Sequence, residues 1–167
     1  GIAPDLRGYG WTEDKLIDST RGYRDWCDDL AALMAVLKIN QAHLVAWSMS
    51  AGIVYRFIAD HPERVLSATL ICPVSPFGFG GTKGVDGIPY FDDHAGSGGG
   101  VVNADFVKRI VDEDRSSDDP NSPRNVMNSF YYAAPFRAAR EEDFLTASLM
   151  EKTGPEKYPG DFTLSPN

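Results

Sequence analysis

His43-Leu44-Val45-Ala46-Trp47-Ser48-Met49-Ser50-Ala51-Gly52 is the stretch on which the fold turns. Residues 43–47 are apolar nearly throughout and read as a short strand. A lone serine follows, and then small residues that open an amphipathic run. A chain that turns sharply from strand to helix on one serine exposes that hydroxyl at the turn. Ser48 is therefore the candidate nucleophile, with an ordinary buried serine as the other reading. A serine hydroxyl is a weak nucleophile at neutral pH, so it needs a base and donors for an oxyanion. The amide of Met49, at the start of the following helix, is the candidate donor. One such donor is worth roughly 3 kcal/mol in a transition state.

Outward from this turn, the pattern alternates between strands and helices. Tyr23, Trp26, Leu30, Leu33, Met34 and Leu37 recur in steps of three and four and predict a helix over 22–38. Asp18, Ser19 and Thr20 are candidate caps before it. Residues 49–60 predict a second helix that buries Ile53, Val54 and Phe57. His61-Pro62 ends it, because proline disfavours helical dihedrals in the residue before it. Val65 to Ile71 is the next strand. Apolar strands joined by helices imply an α/β fold with a parallel sheet covered on both faces. Ligands of such sheets gather beyond the carboxyl ends of the strands.

The character changes after Cys72. Residues 73–100 hold nine glycines and three prolines, together with Phe77, Phe79, Tyr90 and Phe91. A loop of this length in a compact domain is often a lid or a binding loop. Helical patterns return at 103–114, 123–134 and 136–151. Ser122-Pro123 reads as a cap followed by a first-turn proline. The chain thus divides into a core segment, 1–76, and a helical cap or lid region, 77–167, opened by the glycine-rich loop. The ends are abrupt, which fits the middle of a longer protein.

Composition narrows the partners. The 167 residues carry 16 Lys and Arg against 24 Asp and Glu, a net charge of -8. That balance repels nucleic-acid phosphates and anionic membrane surfaces. No apolar run approaches the ~20 residues of a spanning helix. Cys27 and Cys72 match no metal or redox spacing. No signal peptide is visible at Ile2-Ala3-Pro4-Asp5, which leaves a removed signal open, and a cytoplasmic location is the expectation. No phosphate loop, dinucleotide fingerprint or calcium loop is present, so neither cofactor nor metal is expected.

Four stretches together carry a family resemblance. They are Ala3-Pro4-Asp5-Leu6-Arg7-Gly8-Tyr9-Gly10, the Ser48 turn, His61-Pro62-Glu63-Arg64-Val65, and the strand ending at Ile71. In order and separation they resemble the central section of an α/β-hydrolase, of the lipase and esterase kind. The loop Pro76-Phe77-Gly78-Phe79-Gly80-Gly81-Thr82-Lys83 is similar to that of an intracellular polyhydroxyalkanoate depolymerase. The resemblance implies that residues 1–5 end a strand, that Ser48 is the nucleophile and that Met49 supplies one oxyanion amide. The family's turn is Gly-x-Ser-x-Gly, whereas Ala46 and Ser50 stand at the two glycine positions here. Both are small, so the close passage of strand and helix is retained in principle.

The rest of the implied machinery is not evident. The family's acid and histidine follow later strands, and its other oxyanion amide lies upstream. His43 precedes the strand and His61 ends a helix, so both read as structural. His94 lies in the loop as Asp92-Asp93-His94 and reads as solvated. Asp5 reads as a turn or ion-pair residue, Asp86, Asp92 and Asp93 as loop carboxylates, and Asp112-Glu113-Asp114 with Asp118-Asp119 as solvent-facing. The expected function is hydrolysis of carboxylic esters or thioesters through an acyl-enzyme at Ser48. Trp47, Phe77, Phe79 and Tyr90 are candidate lining for the substrate pocket, with Phe130 and Tyr131 from the cap. The alternative is a catalytically inactive truncated hydrolase, or a small-molecule-binding or structural module on the same scaffold. Exposed sheet edges would favour a second copy or a complementing chain as partner.

Overall fold

The computed structural model describes residues 1–18, 21–78, 81–94 and 103–157. It forms two compact units. One comprises residues 17–94, and the other residues 1–16 together with the described part of 101–162.

The first unit is a partial α/β fold with a small parallel sheet. Its elements are α1 (Arg24–Val36), β1 (Ala42–Trp47), α2 (Ser50–Asp60) and β2 (Val65–Ile71). β1 and β2 pair in parallel, from Ala42↔Val65 to Trp47↔Ile71, with an irregularity after Ala42. α2 and a short 3-10 turn at Pro62–Arg64 form the crossover. Leu44, Ala46 and Leu70 meet Ala51, Val54 and Tyr55 of α2 in an apolar cluster. Ile53, Val54 and Phe57 are buried as their spacing predicts, and Phe57 is 0% exposed. α2 stops at Asp60 because His61, at φ -138°, leaves the helical region ahead of Pro62.

Only one face of the sheet is covered in this way. His43, Val45 and Trp47, with their partners Ser67, Thr69 and Ile71, share the other face, and all six are exposed. The expectation of cover on both faces is thus corrected for the described residues. A two-stranded sheet with a single crossover helix has helix for one side only. The first five residues also form no strand, since an extended segment needs a paired neighbour to satisfy its backbone.

α1 packs on α2, and Gly52 marks the approach. A Cβ built there would lie 2.3 Å from the Tyr23 ring, and burial pushes the Tyr23 hydroxyl pKa up. α1 begins later than predicted, with Tyr23 at its cap position and no side-chain cap. Asp18 lies outside the helix, and Ser19 and Thr20 lie outside the described residues. The buried Asp25 carboxylate instead accepts from the Asp18 N–H at 2.8 Å and pairs with Arg21. Arg64 ties the far end of α1 by donating to the carbonyls of Ala31 and Ile39.

Within the glycine-rich loop, Thr82–Lys83 (β3) and Ile88–Pro89 (β4) pair antiparallel. This hairpin was not foreseen. It closes around Gly84 and Gly87, both at positive φ.

The second unit is helical: α3 (Ala104–Val111), α4 (Pro123–Val126) and α5 (Glu141–Ser148). Ile110, Met127 and Leu145 are its buried apolar residues. Ser122 caps α4 as expected, accepting from the Asn125 N–H at 3.3 Å ahead of Pro123. The helix predicted over 123–134 is interrupted, because Met127–Tyr131 form a π turn. A wide turn rotates the side chains that follow it out of phase, and Phe130 and Tyr131 are exposed at 82% and 53%. Residues 1–16 join this unit through the Lys152 N–H, which donates to the Gly8 carbonyl at 2.8 Å.

The acidic runs of this unit do more than face water. Asp114 and Asp119 hold Arg109 at 2.7 and 2.8 Å, alongside Asp105. The Ser116 N–H on its carboxylate, reinforced by Arg109, brings the Asp114 pKa down to about 2. Arg124 similarly joins Glu141 and Glu142.

Candidate functional site at the Ser48 turn

β1 ends at Trp47 and α2 begins at Ser50, so the chain reverses within two residues. Ser48 takes φ +53°, in the left-handed region. That conformation is uncommon for a residue with a side chain and worth attention wherever it occurs. Met49 returns to the right-handed region at φ -59°. Ser48 is exposed, beyond the carboxyl end of β1.

The turn is pinned by β2 and by the segment after it. The Ser48 N–H donates to the Ile71 carbonyl at 2.9 Å, and the Val74 N–H donates to the Ser48 carbonyl at 3.2 Å. The helix then starts on the Ala51 N–H, which donates to the same carbonyl at 3.1 Å. No protein acceptor takes the Met49 N–H among the described residues. A free N–H at a helix start, with the positive end of the helix dipole behind it, is suited to developing negative charge.

Ser50 is a residue whose part the pattern did not reveal. Its hydroxyl accepts from the Trp47 N–H at 2.9 Å and donates to the Trp47 carbonyl at 2.8 Å. Its proton is committed to the backbone, which distinguishes it from Ser48 as a nucleophile. A serine two positions after another serine is the sequence signal for this, and it reads equally as a small residue.

The other candidates are placed as follows. Trp47, Phe77 and Tyr90 are exposed at 48%, 43% and 62%. The Phe77 ring lies against Gly87, where a Cβ would come within 2.3 Å of it. Lys83 sits over the Tyr90 ring at 5.3 Å. Phe79 lies outside the described residues. His43 Nδ1 is 2.8 Å from the Ser67 hydroxyl, across the strand pair. The His61 ring lies against Phe57, tilted by 51° with centroids 5.0 Å apart, and His94 is exposed with φ +57°. The Asp5 carboxylate accepts from the Trp11 N–H at 3.2 Å, which fits a turn residue. Among the described residues, neither a histidine nor a carboxylate is hydrogen-bonded to the Ser48 hydroxyl.

No cluster of three or more potential metal ligands exists among the described residues. Both cysteines are free. Burial pushes the Cys27 thiol up to about 11, so it stays protonated and donates to the Ile53 carbonyl at 3.2 Å. No helix of the described residues is long and apolar enough to cross a membrane.

Known proteins match part of the chain. The chain is 33% identical over 87 residues to a 2-hydroxymuconate semialdehyde hydrolase of a Pseudomonas species, covering 52% of this chain and 30% of that protein. It is 37% identical over 79 residues to the dihydrolipoyllysine-residue acetyltransferase component of an acetoin cleaving system of Cupriavidus necator, covering 47% of this chain and 20% of the other. It is 32% identical over 90 residues to a non-heme chloroperoxidase of Kitasatospora aureofaciens, covering 53% and 32%. The chain thus spans about a third or less of the length of these relatives. The family model for the alpha/beta hydrolase fold matches residues 1–95, more than half of the chain and all of the Ser48 turn, and the chain belongs to that family.

Proposed function

We propose that this chain carries the nucleophile segment of a serine hydrolase acting on carboxylic esters or thioesters. The observation that supports it is the exposed Ser48 at φ +53°, between the end of β1 and the start of α2. In this reading the Ser48 hydroxyl attacks the carbonyl carbon and loses its proton to a base. The Met49 N–H donates to the resulting oxyanion. Collapse expels the alcohol or thiol and leaves an acyl-enzyme, which water then releases. Trp47, Phe77 and Tyr90 line the acyl side of the pocket. The three relatives are named for three different reactions, so the shared stretch supplies scaffold rather than substrate. A polyester of the depolymerase type is one narrower substrate within the ester class.

A second reading rests on a specific observation, the absence of a base on Ser48 among the described residues. In that reading residues 1–167 by themselves are inactive, or serve as a binding or structural module. The exposed Val45, Trp47 and Ile71 support a second copy or a complementing chain as the partner of the open sheet face. The two free cysteines support a cytoplasmic location.

A fluorophosphonate probe with peptide mapping tests these readings. We expect an adduct on Ser48 of the intact protein and none in Ser48→Ala. Labelling of the intact protein but not of residues 1–167 alone would establish the second reading for this stretch. No labelling in either would overturn the hydrolase assignment.

A further inference from the structure

We propose that Ser50 is a positioning residue for Ser48, its hydroxyl acting as a staple on the peptide that leads into the turn. This rests on the reading of Ser48 as nucleophile. The peptide plane between Trp47 and Ser48 has two polar ends. Its N–H, from Ser48, donates to the Ile71 carbonyl at 2.9 Å. Its C=O, from Trp47, accepts from the Ser50 hydroxyl at 2.8 Å. Rotation of this one plane is what changes φ at Ser48. With both ends held, Ser48 stays at φ +53°, a conformation that persists only where the surroundings over-determine it.

The same hydroxyl also accepts from the Trp47 N–H at 2.9 Å, so the residue on the strand side of the turn is held at both its polar groups. The sequence position explains the device. The family's turn has glycine where Ser50 stands, and glycine offers no hydroxyl. Serine keeps the side chain small and adds one donor and one acceptor. The departure from the pattern is therefore a substitution with a function. It orients the Ser48 hydroxyl relative to the Met49 N–H, the pair that must meet one carbonyl group.

The test compares Ser50→Ala, Ser50→Gly and Ser50→Thr with the unsubstituted intact protein, using the fluorophosphonate as the probe. Saturation kinetics of inactivation separate probe binding from attack, and amide hydrogen exchange reports on the Trp47 N–H. In Ser50→Ala we expect attack to slow by roughly 5- to 10-fold, the worth of one ordinary hydrogen bond, with probe affinity unchanged. Trp47 exchange should quicken while the amides of Leu44 and Ala46, on the β2 side of the strand, keep their protection. Ser50→Gly, which fits wherever serine does, should behave like Ser50→Ala, and Ser50→Thr should recover attack. Unchanged attack in both oxygen-lacking variants, or unchanged Trp47 exchange, overturns the proposal. If the unsubstituted protein is not labelled, the hydrolase reading fails, and exchange at Trp47 alone decides whether the staple exists.

Discussion

The unit that holds Ser48 and the helical unit are stabilised by different means. In the first, Ala46, Ala51 and Val54 are buried between strand and helix, and Phe57 is fully enclosed. In the second, Leu145 is fully enclosed too, but Arg109 and Arg124 gather carboxylates from separate stretches of chain. Apolar packing responds little to pH, whereas ion pairs are weakened by acid and by salt. The apolar cluster under the Ser48 turn is therefore expected to respond less to pH and salt than the arginine–carboxylate groups of the helical unit.

Three substitutions sharpen or break this contrast. The largest effect is expected for Phe57→Ala, which should cost about 3–5 kcal/mol, as for other enclosed aromatic residues. Denaturant unfolding followed by the Trp26 and Trp47 fluorescence measures it. A loss under 1 kcal/mol would remove packing as the main support of the turn. Gly52→Ala comes next, at about 1–3 kcal/mol, because its methyl group meets the Tyr23 ring. Gly52→Ala combined with Tyr23→Ala should recover part of that loss.

The smallest effect belongs to the helical unit and depends on pH. Asp114 is held down to about 2, chiefly by the Ser116 N–H. Folding thus favours its ionised form. This contribution is whole above about pH 4, the ordinary carboxylate value, and is lost as pH falls toward about 2. Melting curves between pH 2 and 6 should therefore show a steeper acid limb in the unsubstituted chain than in Asp114→Asn. Identical limbs would mean that the bonds of Asp114 to Ser116 and Arg109 add nothing to the stability of the unit.

Much of the Ser48 unit was legible in advance because its signals are local. The strand before Ser48, the helix after it, the stop at His61-Pro62 and the strand over 65–71 each follow from neighbouring residues. The Ser122-Pro123 start was legible for the same reason. What escaped depends on contacts far apart in sequence. Asp25 gives no local sign that it will be buried and paired with the exposed Arg21. Nor do Asp105, Asp114 and Asp119 announce a shared arginine. The hairpin at 82–89 was hidden because only two residues pair on each side, too few for an alternating pattern. The break in the helix predicted over 123–134 was hidden because a wide turn at Met127–Tyr131 leaves no local mark in the sequence. At the site, the turn and its serine were readable, while the bond from Ser50 to Trp47 required coordinates.

The left-handed backbone at Ser48 also bears on the choice of inactive controls. Alanine at this position keeps the Cβ atom and the steric penalty that accompanies it, whereas glycine relieves that penalty. Ser48→Gly should accordingly melt above Ser48→Ala, by an amount on the order of 1 kcal/mol. Two variants equally devoid of chemistry would then differ in yield and lifetime, and only the alanine form would be a fair thermal match for the parent.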